Sequence, residues 1–226
     1  MSIRTFFISF ILLAGFSTVS FAADTTSVTK KVSVFTVLKV QGNYNVVLTQ
    51  GNECSLKVNG DKDAVAAVDA KNTGVTLNVT GGKGNVTLYV TFKDINQISI
   101  NGTCKVSAAK QIKTGDLALN LDGKTEGSLD LKVKVFTFNC NTDSNFSLSG
   151  KADKGNAKVD GEGTIDMSQL KVDDLDIEYS GDSDIKIFAH PTLHVKMSGD
   201  GNLIYYGNPR VKIFKVNGTG MPKEGK

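Results

Sequence analysis

No tryptophan occurs in these 226 residues, and proline, histidine and cysteine number only 3, 2 and 3. Each scarcity excludes something. Two histidines cannot build a multi-histidine metal centre, and in a strand His190 and His194 would stand about 13 Å apart on one face, too far to share an ion. Pro191 argues against a helix that would bring them together. Three cysteines, Cys54, Cys104 and Cys140, match neither a zinc spacing nor a CxxC motif. They read as small buried strand residues, with a single disulfide as the alternative. Scarce proline beside 23 glycines points to tight turns with positive φ rather than stiff extended loops.

Blocks of like charge are missing too. The 26 basic and 23 acidic side chains are interspersed, with a net charge of +3, so no basic patch invites nucleic acid. The mildly basic end (Arg210, Lys212, Lys215, Lys223 and Lys226) reads as solvation. No apolar run approaches the roughly 20 residues of a membrane-spanning helix. The one apolar run of note, Phe6 to Phe16, follows Arg4 and precedes Ser20 and Ala22, the three-part pattern of a secretory signal peptide over residues 1–22. That predicts an exported protein, in the periplasm, at the cell surface or secreted. No cysteine near the cleavage point offers a lipid attachment.

Helical periodicity is confined to Asp63 to Ala70, with Asp61 or Asp63 as a possible cap. What is abundant is alternation with period two, as in Leu117-Ala-Leu119-Asn-Leu121, Phe136-Thr-Phe138 and Leu175-Asp-Ile177-Glu-Tyr179, which sends one set of side chains to a core and the other to water. These strands recur. The turn dipeptides Asn101-Gly102, Asp122-Gly123, Asn141-Thr142, Asp160-Gly161, Ser180-Gly181, Ser198-Gly199 and Asn217-Gly218 follow one another at intervals of 21, 19, 19, 20, 18 and 19 residues. A period near 19 residues without helix predicts an all-β fold, a parallel β-helix of right-handed coil, each unit burying its face against its neighbours. Roughly six or seven rungs at about 4.8 Å would make a prism about 30 Å long. The polar residue before each glycine suits a turn and could bond from rung to rung.

Residues 35–100 are strand-rich but less regular, with strands expected at Phe35–Val40, Tyr44–Thr49, Ser55–Val58, Val75–Val79, Val86–Phe92 and Ile95–Ile100. Such a portion suits the cap that an open solenoid end needs. The expected division is a flexible leader over 23–34, one β-helix domain over 35–220 (irregular over 35–100, regular over 101–220), and a frayed tail over 221–226.

The order of these features carries a resemblance. Tyr44-Asn-Val-Val-Leu-Thr-Gln-Gly51, the short acidic-to-helical stretch, the serial glycine turns, Ser198-Gly-Asp-Gly-Asn202, Tyr206-Gly-Asn-Pro209 and Val216-Asn-Gly-Thr-Gly220 together resemble the putative auto-transporter adhesin, head GIN domain family, from about Phe35 to Gly220. The resemblance implies a secreted bacterial β-helix-like domain and brings no catalytic residues. Asn141-Thr-Asp-Ser144, lacking the turn glycine, and the three cysteines depart from its pattern.

An enzyme on this scaffold would need acids, or an acid and a base, converging on one face. The candidate acids for such a cluster are Asp173, Asp174, Asp176, Glu178, Asp182, Asp184 and Asp200. Asp182 and Asp200 both follow a turn glycine and could stack, but Thr103, Lys124, Asp143, Glu162 and Thr219 hold the same place in other units. That variety reads as solvated turn residues. No GxSxG, HExxH, P-loop, EF-hand or GGxGxDxUx pattern occurs, and Gly81 to Gly84 reads as a hairpin turn. No catalytic residue, cofactor or metal ligand is assigned. The expectation is a non-catalytic, adhesin-like binding protein that contacts glycans or surface and envelope proteins, with Tyr205 or Tyr206 as a candidate sugar-stacking ring. The alternatives are a carbohydrate-active enzyme with Asp182 and Asp200 in a groove, and a periplasmic accessory or signalling domain.

Overall fold

The computed structural model describes residues 25–226 apart from Lys83; the signal-peptide reading of 1–22 falls outside them. The chain opens with β1 (Thr25–Lys30), β2 (Val37–Gly42), β3 (Tyr44–Gln50) and β4 (Ser55–Asp61) and passes through a short helix, α1 (Lys62–Ala67). It continues as β5 (Asp69–Thr73), β6 (Thr76–Gly82), β7 (Val86–Phe92), β8 (Gln97–Asn101), β9 (Cys104–Ala108) and β10 (Ile112–Lys113). Then come β11 (Asp116–Asp122) and the long strands β12 (Thr125–Cys140), β13 (Ser144–Gly161), β14 (Gly163–Gly181) and β15 (Asp184–Ser198). The final strands are β16 (Asn202–Tyr206), β17 (Val211–Asn217) and β18 (Pro222–Glu224).

The result is a β-helix of about seven turns with about 19 residues per rung. Each long strand bends round corners of the prism, so its successive parts lie on different faces. The inward residues stack in register: Leu119, Phe138, Ala157, Ile177 and Val195 form one column, and all are buried. Volume is balanced between rungs. Phe136 lies in register with Gly155, and Gly155 with Leu175; a Cβ on Gly155 would come within 2.9 Å of the Leu175 side chain. A small residue between two large ones keeps the stack at strand spacing while the core stays filled.

Face A is the sheet β6–β2–β8–β11, continued by the later parts of β12 to β15 and ended by β17, all parallel. Face B runs from β7 through β3 and β9 into the starts of β12 to β15, then β16 and β18. The stacking order is not the chain order. The β2–β3 rung is inserted between β6–β7 and β8–β9, so the chain coils outward past its own first rung before advancing.

The outermost N-terminal rung is covered by antiparallel strands: β4 on β7, β1 on β4, and β5 on β6. Helix α1 packs against β4, β1 and β6 with Val65 buried. Antiparallel strands and a helix interrupt the parallel stack here and cover its core, as a solenoid end requires.

Several sequence expectations need correction. Thr25–Lys30, read as part of a loose leader, pairs along its length with Leu56 to Asp61. The helix is shorter than Asp63 to Ala70; Val68 is already extended, and Asp61 stands at the N-cap without a side-chain cap bond. Gly81 to Gly84 is no hairpin, because β6 pairs with β2 on face A and β7 with β3 on face B. Beyond Gly220, Pro222–Glu224 pairs with Leu203 to Tyr205 rather than fraying.

Candidate functional site

Outward residues of face A form two neighbouring columns. One reads Lys39, Ser99, Asn120, Asn139, Lys158, Glu178, Lys196 and Lys215 from rung to rung. The other reads Gln97, Ala118, Thr137, Asn156, Asp176, His194 and Ile213. Period-two alternation sends these side chains out of the sheet, and the 19-residue pace places like positions about 4.8 Å apart.

Two depressions lie over this face. One of about 610 Å³ spans Lys39, Asn78, Gln97, Ser99, Asn120 and Asn139 among its lining; the other, of about 510 Å³, runs from Thr137 and Asn139 to Ile213 and Lys215. Asn139 and Lys158 line both, so the two form one shallow trough. It crosses the nine strands from β6 to β17, a length of about 38 Å.

The N-terminal half of the trough is mainly amides and hydroxyls, with Lys39 and Asp122 as its charged members. Asn139 donates from Nδ2 to Oδ1 of Asn120 at 2.8 Å, Asn120 donates to Ser99 Oγ at 3.2 Å, and Gln97 donates to the same oxygen at 3.0 Å. Each amide is held by its neighbour yet keeps donors or acceptors free toward solvent. The C-terminal half is charged. His194 Nδ1 lies 2.7 Å from Asp176 Oδ1, and Lys196 pairs with Glu178, whose carboxyl the bond holds below its ordinary range. Among the described residues, Lys158 and Lys215 of this trough form no ion pair, which leaves it a net cationic character.

Of the acids singled out from sequence, Asp176 and Glu178 share the trough, and the others do not join them. Asp182 and Asp200 stand on the turn ridge, outside the trough. Asp200 accepts from Thr219, at 3.1 Å from the backbone N–H and 2.6 Å from the hydroxyl, and these bonds, the hydroxyl's foremost, lower its pKa. Asp143 accepts from the backbone of Glu162 in the same manner. These residues, which follow the turn glycine or Thr142 in its place, tie one turn to the next. Asp173 pairs with Lys151, and Asp184 accepts from Asn202. Among the described residues no group of three or more His, Cys, Asp or Glu side chains is arranged to hold a metal. His190 lies against the Asn208 carbonyl, apart from His194.

Neither tyrosine lies in the trough. Tyr205 points inward, 6% exposed, and donates to Glu224. Tyr206 takes the outward position, but Gly225 lies against its ring, where a Cβ would come within 2.1 Å. The three cysteines are unpaired. Cys104 and Cys140 are buried and donate to the carbonyls of Gly42 and Thr142, and burial raises both thiols. Alternation marks the inward residues and leaves the trough's outward ones unmarked. The trough's signal was present: Asn120 in LALNLD and Asn139 in VFTFNC hold equivalent places one period apart.

A parallel β-helix with a long, polar, solvent-open face is a scaffold for extended contact rather than an enclosing pocket. The chain belongs to the putative auto-transporter adhesin, head GIN domain family, which matches residues 34–209. A putative adhesin from Bacteroides fragilis is 20% identical, with 89% of this chain and 97% of that chain covered and a TM-score of 0.80. A putative adhesin from Parabacteroides merdae is 17% identical over 89% and 96%, with a TM-score of 0.69. A putative lipid binding protein from Parabacteroides distasonis is 14% identical over 91% and 98%, with a TM-score of 0.71. At these identities the likeness is one of fold. No curated protein matches the chain.

Proposed function

We propose that this is an exported, non-catalytic binding protein of the bacterial envelope or exterior whose face A trough holds an extended glycan. One observation carries the reading: the two depressions share Asn139 and Lys158 and so make a single polar channel, open along its length. Sugar hydroxyls need partners that both donate and accept, and carboxamides do both. Repetition at about 4.8 Å offers such a partner at every rung, so weak contacts add along a chain. Lys158 and Lys215 favour neutral or acidic polymers. The outward side chains here are mostly amides, hydroxyls and charged groups, with Ile213 the large apolar one, which favours a glycan over an acyl chain.

Asp176 and Glu178, two residues apart on one parallel strand, have backbone positions about 6.6 Å apart, close to the carboxyl spacing of an inverting glycosidase. A general acid needs a raised pKa, whereas Glu178 is lowered by Lys196. That supports binding over catalysis. A periplasmic accessory role, with another envelope protein as partner, is the further alternative. Protease treatment of intact cells tests the location: digestion supports a surface protein, while protection until the envelope is broken directs the search to periplasmic partners. A glycan array probed with the purified chain, and with Asn139→Ala/Lys158→Ala, tests the trough; binding lost in the double variant supports it.

A further inference from the structure

The two ends of the prism are built differently. The N-terminal edges are polar: β1 reads TTSVTK and β5 reads DAKNT, and charged or hydroxyl side chains discourage pairing with another strand. At the other end, β17 pairs with β15 along one edge only, and among the described residues no strand pairs with its far edge. It is exposed along its whole length, and Val211, Ile213, Phe214 and Val216 are between 39% and 47% exposed. Phe214 and Val216 lie in register with the buried Val195 and Met197, so they continue the core into solvent. Beside them β18 begins with Pro222, which has no N–H to offer.

We infer that the free edge of β17 pairs antiparallel with β17 of a second copy, closing a two-fold dimer. The sequence of the strand is self-complementary. In the register that overlays β17 fully on its mate, Phe214 faces Phe214 of the partner subunit, Lys212 faces Val216 of the partner subunit, and Ile213 faces Lys215 of the partner subunit. No like charges stand opposite one another, and inward residues meet inward residues, so the two cores join. Lys212 brings no unpaired charge into the joint: its ammonium lies 3.2 Å from Glu224 and over the Tyr205 ring at 5.1 Å. The covered N-terminal ends stop the assembly at two. Joined in this way, the two face A troughs form one channel across the dimer.

Sedimentation equilibrium on the purified chain tests this inference, with Ile213→Lys and Ile213→Glu as variants. Ile213 points outward, so neither change disturbs the interior, and circular dichroism checks that both retain the β-sheet spectrum. The wild-type chain should sediment at twice the chain mass. Ile213→Lys sets a lysine opposite Lys215 of the partner subunit at both symmetric positions and should weaken the dimer at least about tenfold, or about 1.4 kcal/mol. Ile213→Glu should hold or tighten it. A monomer at every concentration, association that continues beyond two, or a dimer equally stable in both variants would overturn the proposal.

Discussion

Thr142 occupies a place that glycine fills in the neighbouring turns, and its Oγ1 both donates to the carbonyl of Gly123, at 2.7 Å, and accepts from the Gly123 N–H, at 3.0 Å. One hydroxyl thus serves a donor and an acceptor of the rung below. The Gly123 carbonyl also accepts from Ser144 and Thr125, so its N–H depends most on Thr142. Thr142→Val keeps the shape and removes the hydroxyl, and should cost about 1–2 kcal/mol in the unfolding free energy. Denaturant titration reads this loss, and Thr142→Ser should recover most of it.

The ordinary members of that column are intolerant for a steric reason. Gly181 has φ +105°, and a Cβ there would lie 2.5 Å from the carbonyl oxygen of Gly161. Gly181→Ala should destabilise the fold by more than about 3 kcal/mol. Gly115, with nothing within 4 Å of an added Cβ, is the control: Gly115→Ala should stay within about 1 kcal/mol of the parent. Equal midpoints for the two variants would remove the close-stacked turn column from the account.

Alkaline pH should destabilise the protein through Tyr179. Its hydroxyl is buried and donates to the Ser183 carbonyl at 2.8 Å. Burial foremost, then the carboxylates of Asp182, Asp184 and Asp200, pushes its pKa from 10.0 up to about 12. A folded-state pKa above the unfolded one means that the protonated form is favoured on folding. That contribution is complete below pH 10 and is lost as pH rises from about 10 to about 12. Stability measured across this range should fall steeply in the parent and less steeply in Tyr179→Phe. The residual slope belongs in part to Tyr44, whose pKa is also raised, chiefly by burial.

What could be read from sequence follows from how local the signal is. Leu117-Ala-Leu119 and Phe136-Thr-Phe138 declare their faces by alternation, and the spacing of Gly102, Gly123, Gly161, Gly181 and Gly199 declares the coil. Insertion of β2–β3 between β6–β7 and β8–β9 rests on pairings such as Leu38 with both Leu77 and Ile98; any of these apolar strands fits such a slot, so sequence leaves the order open. β1 was hidden because it buries nothing fully and therefore shows no alternation. Gly155 and Ala157 hid a core strand because their neighbours, Phe136 and Phe138, fill the volume for them. The trough was hidden for the opposite reason: its residues are ordinary polar ones, and only register places Asn139 on Asn120 and Glu178 beneath Lys196.

In the proposed function, the face A trough holds a chain of sugars along the stack. Calorimetric titration with neutral and uronate-containing oligosaccharides of graded length, against the parent and Asn139→Ala, tests it most directly. Affinity should climb with oligosaccharide length as more rungs are engaged. Asn139→Ala should weaken the longest ligand about tenfold, the loss of one or two well-placed hydrogen bonds, with the fold's melting temperature near that of the parent. Affinity that is independent of length, or unchanged by Asn139→Ala, would rule out glycan binding along the trough.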